Sequence, residues 1–303
     1  MSFFFEVLIG GLLSGVMYSL VALGFVLIYK ASGVFNFAQG GMVFFAALVF
    51  VTFGELLGAP FWLAFALTLV VMVALGVATE RIVLRPLVNQ PQISLFMATI
   101  GLTFFIEGVA QLVQLWAFED LSPRPLNLGV QDQPIEWMLT RFNILISSFD
   151  LFAAAVAGVL VASLALFFNR TRIGRALRAV ADDHQAALSV GISLNQIWVI
   201  VWFTAGIVAL ITGIMWGARS DVSFALEIVA LKALPVLILG GFESIAGAIV
   251  GGLIIGAAEK LAEVYLGPFV GGGIEGWFAY VMALLFLLVR PEGLFGEKHI
   301  DRV

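Results

Sequence analysis

The chain has 303 residues, of which 62% are hydrophobic and only 12% charged, with no cysteine and a formal net charge of −5. A soluble domain carries about 25% charged and about 45–50% apolar residues, so this excess is too large for one buried core in water. The balance excludes disulfides and thiolate metal sites, and gives no electrostatic footprint for a nucleic-acid partner.

A hydrocarbon layer about 30 Å thick takes about 20 helical residues to cross, which leaves room here for about eight to ten spans and no sizeable soluble domain. Because the apolar runs are continuous and do not alternate every second residue, an outer-membrane barrel is excluded. The expected class is an all-α polytopic membrane protein with about eight to ten transmembrane or broken helices, and residues 1–303 form a single transmembrane domain. Apolar runs fall near residues 8–29, 34–53, 61–79, 93–115, 147–168, 194–217, 224–240, 245–262 and 276–289. The first has no basic segment before it and flows into further spans, so it reads as structure and not as a cleaved signal.

Basic residues in short connections set orientation. With alternating spans, Lys30, Arg81, Arg85, Arg170, Arg172, Arg175, Arg178, Arg290, Lys298 and Arg302 share one side, while Arg124, Arg141 and Arg219 fall on the other. The bias predicts an outside N-terminus and a cytoplasmic C-terminus. The connection over residues 116–146, with Trp116, Pro123, Pro125 and Trp137, then lies outside, as an ordinary loop with interfacial aromatics or as a docking surface.

Few polar groups interrupt the spans. Thr103, Glu107 and Gln111 recur at every fourth residue, giving the fourth run one polar stripe. A carboxylate in hydrocarbon is costly and faces protein or water, so the stripe looks inward, as an interhelical hydrogen-bond seam or as the lining of a solute path. Asn36, Phe37 and Gln39 lie between Gly33 and the pair Gly40 and Gly41, and Glu243 and Ser244 follow Gly240 and Gly241. Broken segments at membrane depth need protein or a water-filled cavity around them, and a pair of them points to a substrate route. Close helix packing is the simpler reading for Gly247, Gly251 and Gly256. Lys232, ahead of Pro235, has the choice of snorkelling, pairing with Glu227 or Glu243, or marking a kink. Glu259 and Glu263 read as the outer end of the eighth helix.

Neither histidine, His184 nor His299, lies in a span. No H-E-x-x-H or G-x-S-x-G occurs, and the lysines precede Ala, Ala, Leu and His, so no Walker loop is present. The chain has no nucleotide site of its own and does not read as an enzyme, although an ion-driven transporter using Glu107, Lys232 and Glu243 is a second reading.

The most informative soluble stretch is Arg170 to Ile192. Asp182 and Gln185 have the spacing of a helix-start cap, and Gly191 is placed to end that short helix in the left-handed conformation. Such a helix suits a groove on another protein or an anionic lipid surface.

At these residues the chain resembles a family. Gly174-Arg175-Ala176-Leu177-Arg178-Ala179 and Ala186-Ala187-Leu188-Ser189-Val190-Gly191 are similar to the coupling region of branched-chain amino-acid ABC importer permeases, the LivH-like family. The stretches Gly15 to Gly24, Val34 to Gly40, Leu239 to Gly247 and Arg290 to Gly296 resemble it too, in the same order. The resemblance implies a permease subunit of the bacterial inner membrane carrying branched-chain amino acids or related small solutes. Urea, short amides or small organic acids are the alternative cargo. It implies a LivM-like second permease, LivG-like and LivF-like ATPases that bind ATP and Mg, and a periplasmic substrate-binding protein, with no cofactor on this chain. The path would be lined by Asn36, Phe37, Gln39, Thr103, Glu107, Gln111, Glu243 and Ser244. Coupling to the ATPases would fall to Arg172, Gly174, Arg175, Arg178, Ala179, Asp182, Asp183, Ala186, Ala187 and Gly191. Several family members carry His where Gln39 stands, so an ionisable role does not carry over to it.

Overall fold

The computed structural model describes residues 2–33, 35–87, 90–182, 184–192 and 194–296. The described residues are helical or irregular, with no strand beyond two isolated bridges. The helices are α1 (Ser2–Ser32), α2 (Gln39–Leu56), α3 (Phe61–Ala78), α4 (Gln92–Phe118), α5 (Glu136–Phe142), α6 (Ser148–Arg170) and α7 (Arg172–Asp182). After them come α8 (His184–Ser189), α9 (Leu194–Ser220), α10 (Ala225–Leu231), α11 (Ala233–Gly240), α12 (Ile245–Tyr265), α13 (Gly267–Val270) and α14 (Phe278–Val289). Seven helices are long and apolar enough to cross a membrane, and α14 is a shorter apolar one. Together with the broken pair α10 and α11, they account for the nine apolar runs of the sequence.

Breakers divide the helices where backbone chemistry requires it. Gly33, Gly58 and Gly241 take positive φ angles of 68, 58 and 102° after α1, α2 and α11, a region open to glycine at little cost. Pro60 and Pro91 immediately precede α3 and α4, where the missing N–H costs nothing. Lys232 occupies the turn between α10 and α11.

The chain divides into two compact units. The first comprises Met1–Val26, Leu128–Ala165 and Lys232–Val303. Its seam is backbone against backbone: a Cβ on Gly15 of α1 would stand 2.5 Å from the Gly252 carbonyl oxygen of α12, and one on Gly256 only 2.4 Å from that of Gly11. Small residues permit this approach, and dispersion and weak polar contacts replace the hydrophobic drive that lipid does not supply. Ser19 Oγ adds a 3.2 Å hydrogen bond to the Ile249 carbonyl. Gly247 and Gly251 pack in the same way against Gly240 and Val236 of α11. Leu294 and Phe295 donate their N–H groups to the carbonyls of Leu239 and Gly240, which ties the segment after α14 to the break at Gly241.

The second unit comprises Leu27–Asn127 and Leu166–Leu231. Its centre is α2, buried continuously from Gln39 to Thr52, as a helix apolar on every face requires. Gly213 of α9 meets the Val43 carbonyl oxygen, 2.5 Å from where its Cβ would be. Gly76 of α3 lies against Trp202 of α9, and Phe44 of α2 meets the Phe224 ring before α10 at 4.7 Å.

Candidate functional site

Polar chemistry in the second unit gathers where α2 begins. The segment before α2 is not helical at Asn36; its side-chain Oδ1 accepts from Ala38 N at 3.1 Å, a turn that the Asx side chain closes locally. Asn36 and Gln39 therefore do not share a helix face, and both are fully buried. Phe37 stacks edge-on between Phe35 and Phe96, with centroids at 4.7 and 5.0 Å. Thr99 Oγ1 donates to the Phe35 carbonyl at 3.1 Å and so ties this turn to α4.

The stripe on α4 faces the same corner. Gly41 lies against the Thr103 carbonyl and Ile106, while the Thr103 hydroxyl is satisfied by the Thr99 carbonyl at 3.0 Å. Glu107 sits within hydrogen-bonding reach of Glu227 on α10. Gly40 is pressed against that same side chain, its Cβ position 3.0 Å from Glu227 Cγ. Gln111 is half-buried, and Gln114 on the next turn donates to the Ser122 carbonyl at 2.7 Å. The fold thus brings Asn36, Gln39, Thr103 and Glu107 to one region and adds Glu227.

Glu243 and Ser244 belong to the first unit. Glu243 is exposed. Ser244 caps α12, its Oγ accepting from Gly247 N at 2.9 Å, a bond that satisfies one of the orphan N–H groups of a helix start.

An ion pair that the residue pattern did not select lies in the first unit. Lys232 Nζ is 2.7 Å from Glu259 Oε1, and the Glu259 side chain is only 2% exposed. Tyr18 OH donates to the same oxygen at 3.4 Å, and its ring lies 5.9 Å from the ammonium. Glu259 is therefore an internal anion, whereas Glu263 at the end of α12 accepts from Gly273 N and Glu275 N. A second internal carboxylate, Glu80, lies in the π-helical turn Thr79–Leu84 and is paired with Arg85 at 3.1 Å. Its signal in the sequence was an acid at the end of an apolar run, followed five residues later by Arg.

The stretch after α6 forms two short helices. Thr171 Oγ1 accepts from Gly174 N at 3.0 Å, which starts α7. A Cβ on Gly174 would stand 2.0 Å from the Phe168 carbonyl oxygen, and Arg178 Nη1 donates to that carbonyl. Arg178 thus anchors α7 to the end of α6, while Arg172 and Arg175 are exposed and Ala179 is half-buried. Leu177 and Val180 form the buried face of α7. Gly191 has φ 84°, and the Gly191 and Ile192 N–H groups bond back to Leu188 and Ala187. The helix before it spans His184–Ser189. Ala187 is 2% exposed, against 53% for Leu188 and 74% for Val190, so the surface offered here is Leu188 and Val190. Asp183 and the side chains of Asp182 and Ala186 lie outside the described residues.

Outside the spans, Asp120 accepts from Ser122 and Arg124. The Ser122 hydroxyl and N–H, reinforced by the Arg124 guanidinium, hold its carboxyl below the usual carboxylate range.

Seven helices long and apolar enough to cross a membrane define a polytopic membrane protein. A family model for the permease component of the branched-chain amino acid transport system matches residues 7–290, and the chain belongs to that family. The high-affinity branched-chain amino acid transport system permease protein BraD of Pseudomonas aeruginosa is 28% identical over 314 residues, covering 99% of this chain and 98% of the relative. LivH of Escherichia coli K12, a permease protein of the same description, is 26% identical with the same coverage. The fructose import permease protein FruF of Bifidobacterium longum is 26% identical, covering 91% of this chain and 75% of that one. Among solved structures, PsaBC from Streptococcus pneumoniae in complex with Fab has a TM-score of 0.51 over 94% of this chain and 92% of that chain, at 14% identity. That likeness shows the fold alone.

Proposed function

We propose that this chain is the permease subunit of an ATP-binding-cassette importer in the bacterial cytoplasmic membrane, forming the path for branched-chain amino acids or closely related small solutes. The observation that carries the reading is the buried polar corner of Asn36, Gln39 and Thr103, with Glu107 beside it, in a chain that matches a permease family over residues 7–290. Polar groups are expensive inside a membrane and are retained where solute passes.

The basic residues put the N-terminus outside and the C-terminus in the cytoplasm. Residues 170–192 then face the cytoplasm and engage an ATPase subunit, with Leu188 and Val190 as the apolar contact and Arg172 and Arg175 as the charged rim. Arg178 and Gly174 keep α7 rigid against α6, so that closure of the ATPases moves a stiff element and not a loop. The partners are a homologous second permease, two ATPases that bind ATP and Mg, and a periplasmic binding protein. Asn36, Phe37, Gln39, Thr103, Glu107 and Gln111 belong to the path, with Glu243 and Ser244 supporting the late break.

The test is purification of the complex through a tag on this chain. Co-purification of a second permease and two ATPases, lost when Leu188 and Val190 are both changed to Asp, supports the reading; isolation of a chain that moves solute alone on an ion gradient overturns it.

A further inference from the structure

An apolar groove of about 400 Å³ opens on the second unit, between the end of α3 and the first half of α4. Its walls include Leu75, Ala78, Ile82 and Val83 on one side and Gly101 and Phe105 on the other. Among the described residues lining it, only Thr79 is polar. Both walls belong to helical stretches long and apolar enough to cross a membrane, where hydrocarbon and not water is the solvent. Apolar hollows stay dry in any case. The π-helical turn Thr79–Leu84 shapes the first wall, an irregularity that within helices often marks a functional position. Gly101 keeps the second wall low, since a Cβ there would meet nothing within 4 Å.

Positive charge sits where α3 ends. Arg81 directly precedes Ile82, is exposed, and takes part in none of the ion pairs among the described residues. Arg85 lies about one turn beyond Ile82, where Glu80 Oε1 accepts from its Nε and pairs with its Nη2, both at 3.1 Å. The Glu80 side chain is buried, so it fixes the Arg85 guanidinium and offsets its charge, while the Arg85 side chain stays 46% exposed. The charge left over is that of Arg81. A hydrocarbon slot ending in an uncompensated guanidinium complements a molecule with an acyl chain and an anionic head. A neighbouring helix fits less well. With its side chains it is about 10–12 Å across, too wide for a groove of this volume, and it would have to bring a carboxylate to Arg81.

We propose that this groove is a binding site for one anionic phospholipid. An acyl chain lies in the groove against Ile82, Gly101 and Phe105, and the phosphate is held by Arg81, with Arg85 beside it. Because the surrounding lipid tails are as apolar as the groove, the chain contributes fit and the head contributes preference. The site therefore selects its lipid by charge, at about fivefold for an arginine free to meet the phosphate.

The experiment uses the full-length chain as it purifies from the membrane in detergent. It is titrated with phosphatidylglycerol and with phosphatidylcholine of the same acyl chains, and bound lipid is counted by native mass spectrometry. One phosphatidylglycerol per chain should bind about fivefold or more tightly than phosphatidylcholine. Arg81→Gln should remove that preference by lowering phosphatidylglycerol affinity about fivefold. Gly101→Leu puts a side chain into the groove without a clash at its Cβ, and should weaken binding of both lipids. Gly108→Leu, on the same helix but outside the groove lining and also with nothing within 4 Å of its Cβ, should change neither. Arg81 is exposed, so Arg81→Gln keeps the test decisive even if Gly101→Leu folds poorly. The proposal is overturned if the wild type does not distinguish the two lipids, if Arg81→Gln keeps the preference, or if a folded Gly101→Leu chain binds lipid as Gly108→Leu does. Loss of a protein subunit from the Gly101→Leu chain with lipid binding unchanged also overturns it, since the groove would then hold a protein neighbour.

Discussion

Lys232 Nζ reaches Glu259 Oε1 at 2.7 Å, joining the break before α11 to the middle of α12. Removing one partner of a buried pair leaves an uncompensated charge, at a cost of about 3–5 kcal/mol, whereas replacing both with apolar groups is often neutral or better. Lys232→Met alone should therefore lower the melting temperature of the purified complex sharply, and Lys232→Met combined with Glu259→Leu should restore most of it. Equal melting of the single and double variants would show that the pair does not hold the break.

The α1–α12 seam gives a second prediction. A Cβ on Gly256 would stand 2.4 Å from the Gly11 carbonyl oxygen and 2.5 Å from Gly15 Cα, atoms of backbone that cannot rotate away. Gly256→Ala should reduce the yield of folded protein and its melting temperature. Gly10→Ala, with nothing within 4 Å, should be neutral or stabilise by about 0.5–1 kcal/mol. Thermal unfolding of the two variants side by side distinguishes a packing requirement from a general intolerance of alanine in α1 and α12.

The anchoring of α7 predicts a coupling defect without a binding defect. Gly174→Ala forces its Cβ onto the Phe168 carbonyl, and Arg178→Gln releases the guanidinium from that same carbonyl. Both should leave the ATPase subunits bound yet raise the ATP hydrolysed per solute imported, by about tenfold if the lever is lost. An unchanged ratio would reduce Arg178 to a passive helix-end contact.

Because the chain contains no cysteine, single cysteines report topology directly. Thr140 near the end of α5 and Arg172 at the start of α7 are both exposed. A membrane-impermeant maleimide should label Thr140→Cys in intact cells and Arg172→Cys only after permeabilisation. The reverse pattern would invert the orientation and move residues 170–192 away from any cytoplasmic ATPase.

What could be read in the residues follows from how far each signal reaches. Continuous apolar runs marked α1, α2, α3, α4, α6, α9 and α12, because lipid imposes length and hydrophobicity locally. The run 224–240 read as one apolar segment in which a kink at Lys232 and Pro235 was one of three options, and it is broken into α10 and α11; the close-packing role of Gly247, Gly251 and Gly256 was visible through their spacing. The partner of Lys232 was not visible: Glu259 is 27 residues away, and only the fold of α11 against α12 brings it near. α7 was missed as a helix because its arginines dominate the composition, although Ile173, Leu177 and Val180 keep one apolar face. At the candidate site the types Asn36, Gln39 and Glu107 stood out as polar groups among apolar ones. That Asn36 closes a local turn onto Ala38 N while the Gln39 amide has no partner depends on three-dimensional packing, which pattern alone does not specify. Glu227 was considered only as a partner for Lys232, and it faces Glu107.

The central claim is that this chain is a conduit driven by ATP bound elsewhere, and uptake by proteoliposomes measures it directly. The chain is reconstituted with the second permease, the two ATPases and the binding protein, and labelled leucine is followed with ATP, without ATP, and with an ion gradient alone. The account predicts uptake only with ATP and all partners present, and none from the chain by itself. Leucine accumulation by the isolated chain on a proton or sodium gradient, without ATP, would contradict it.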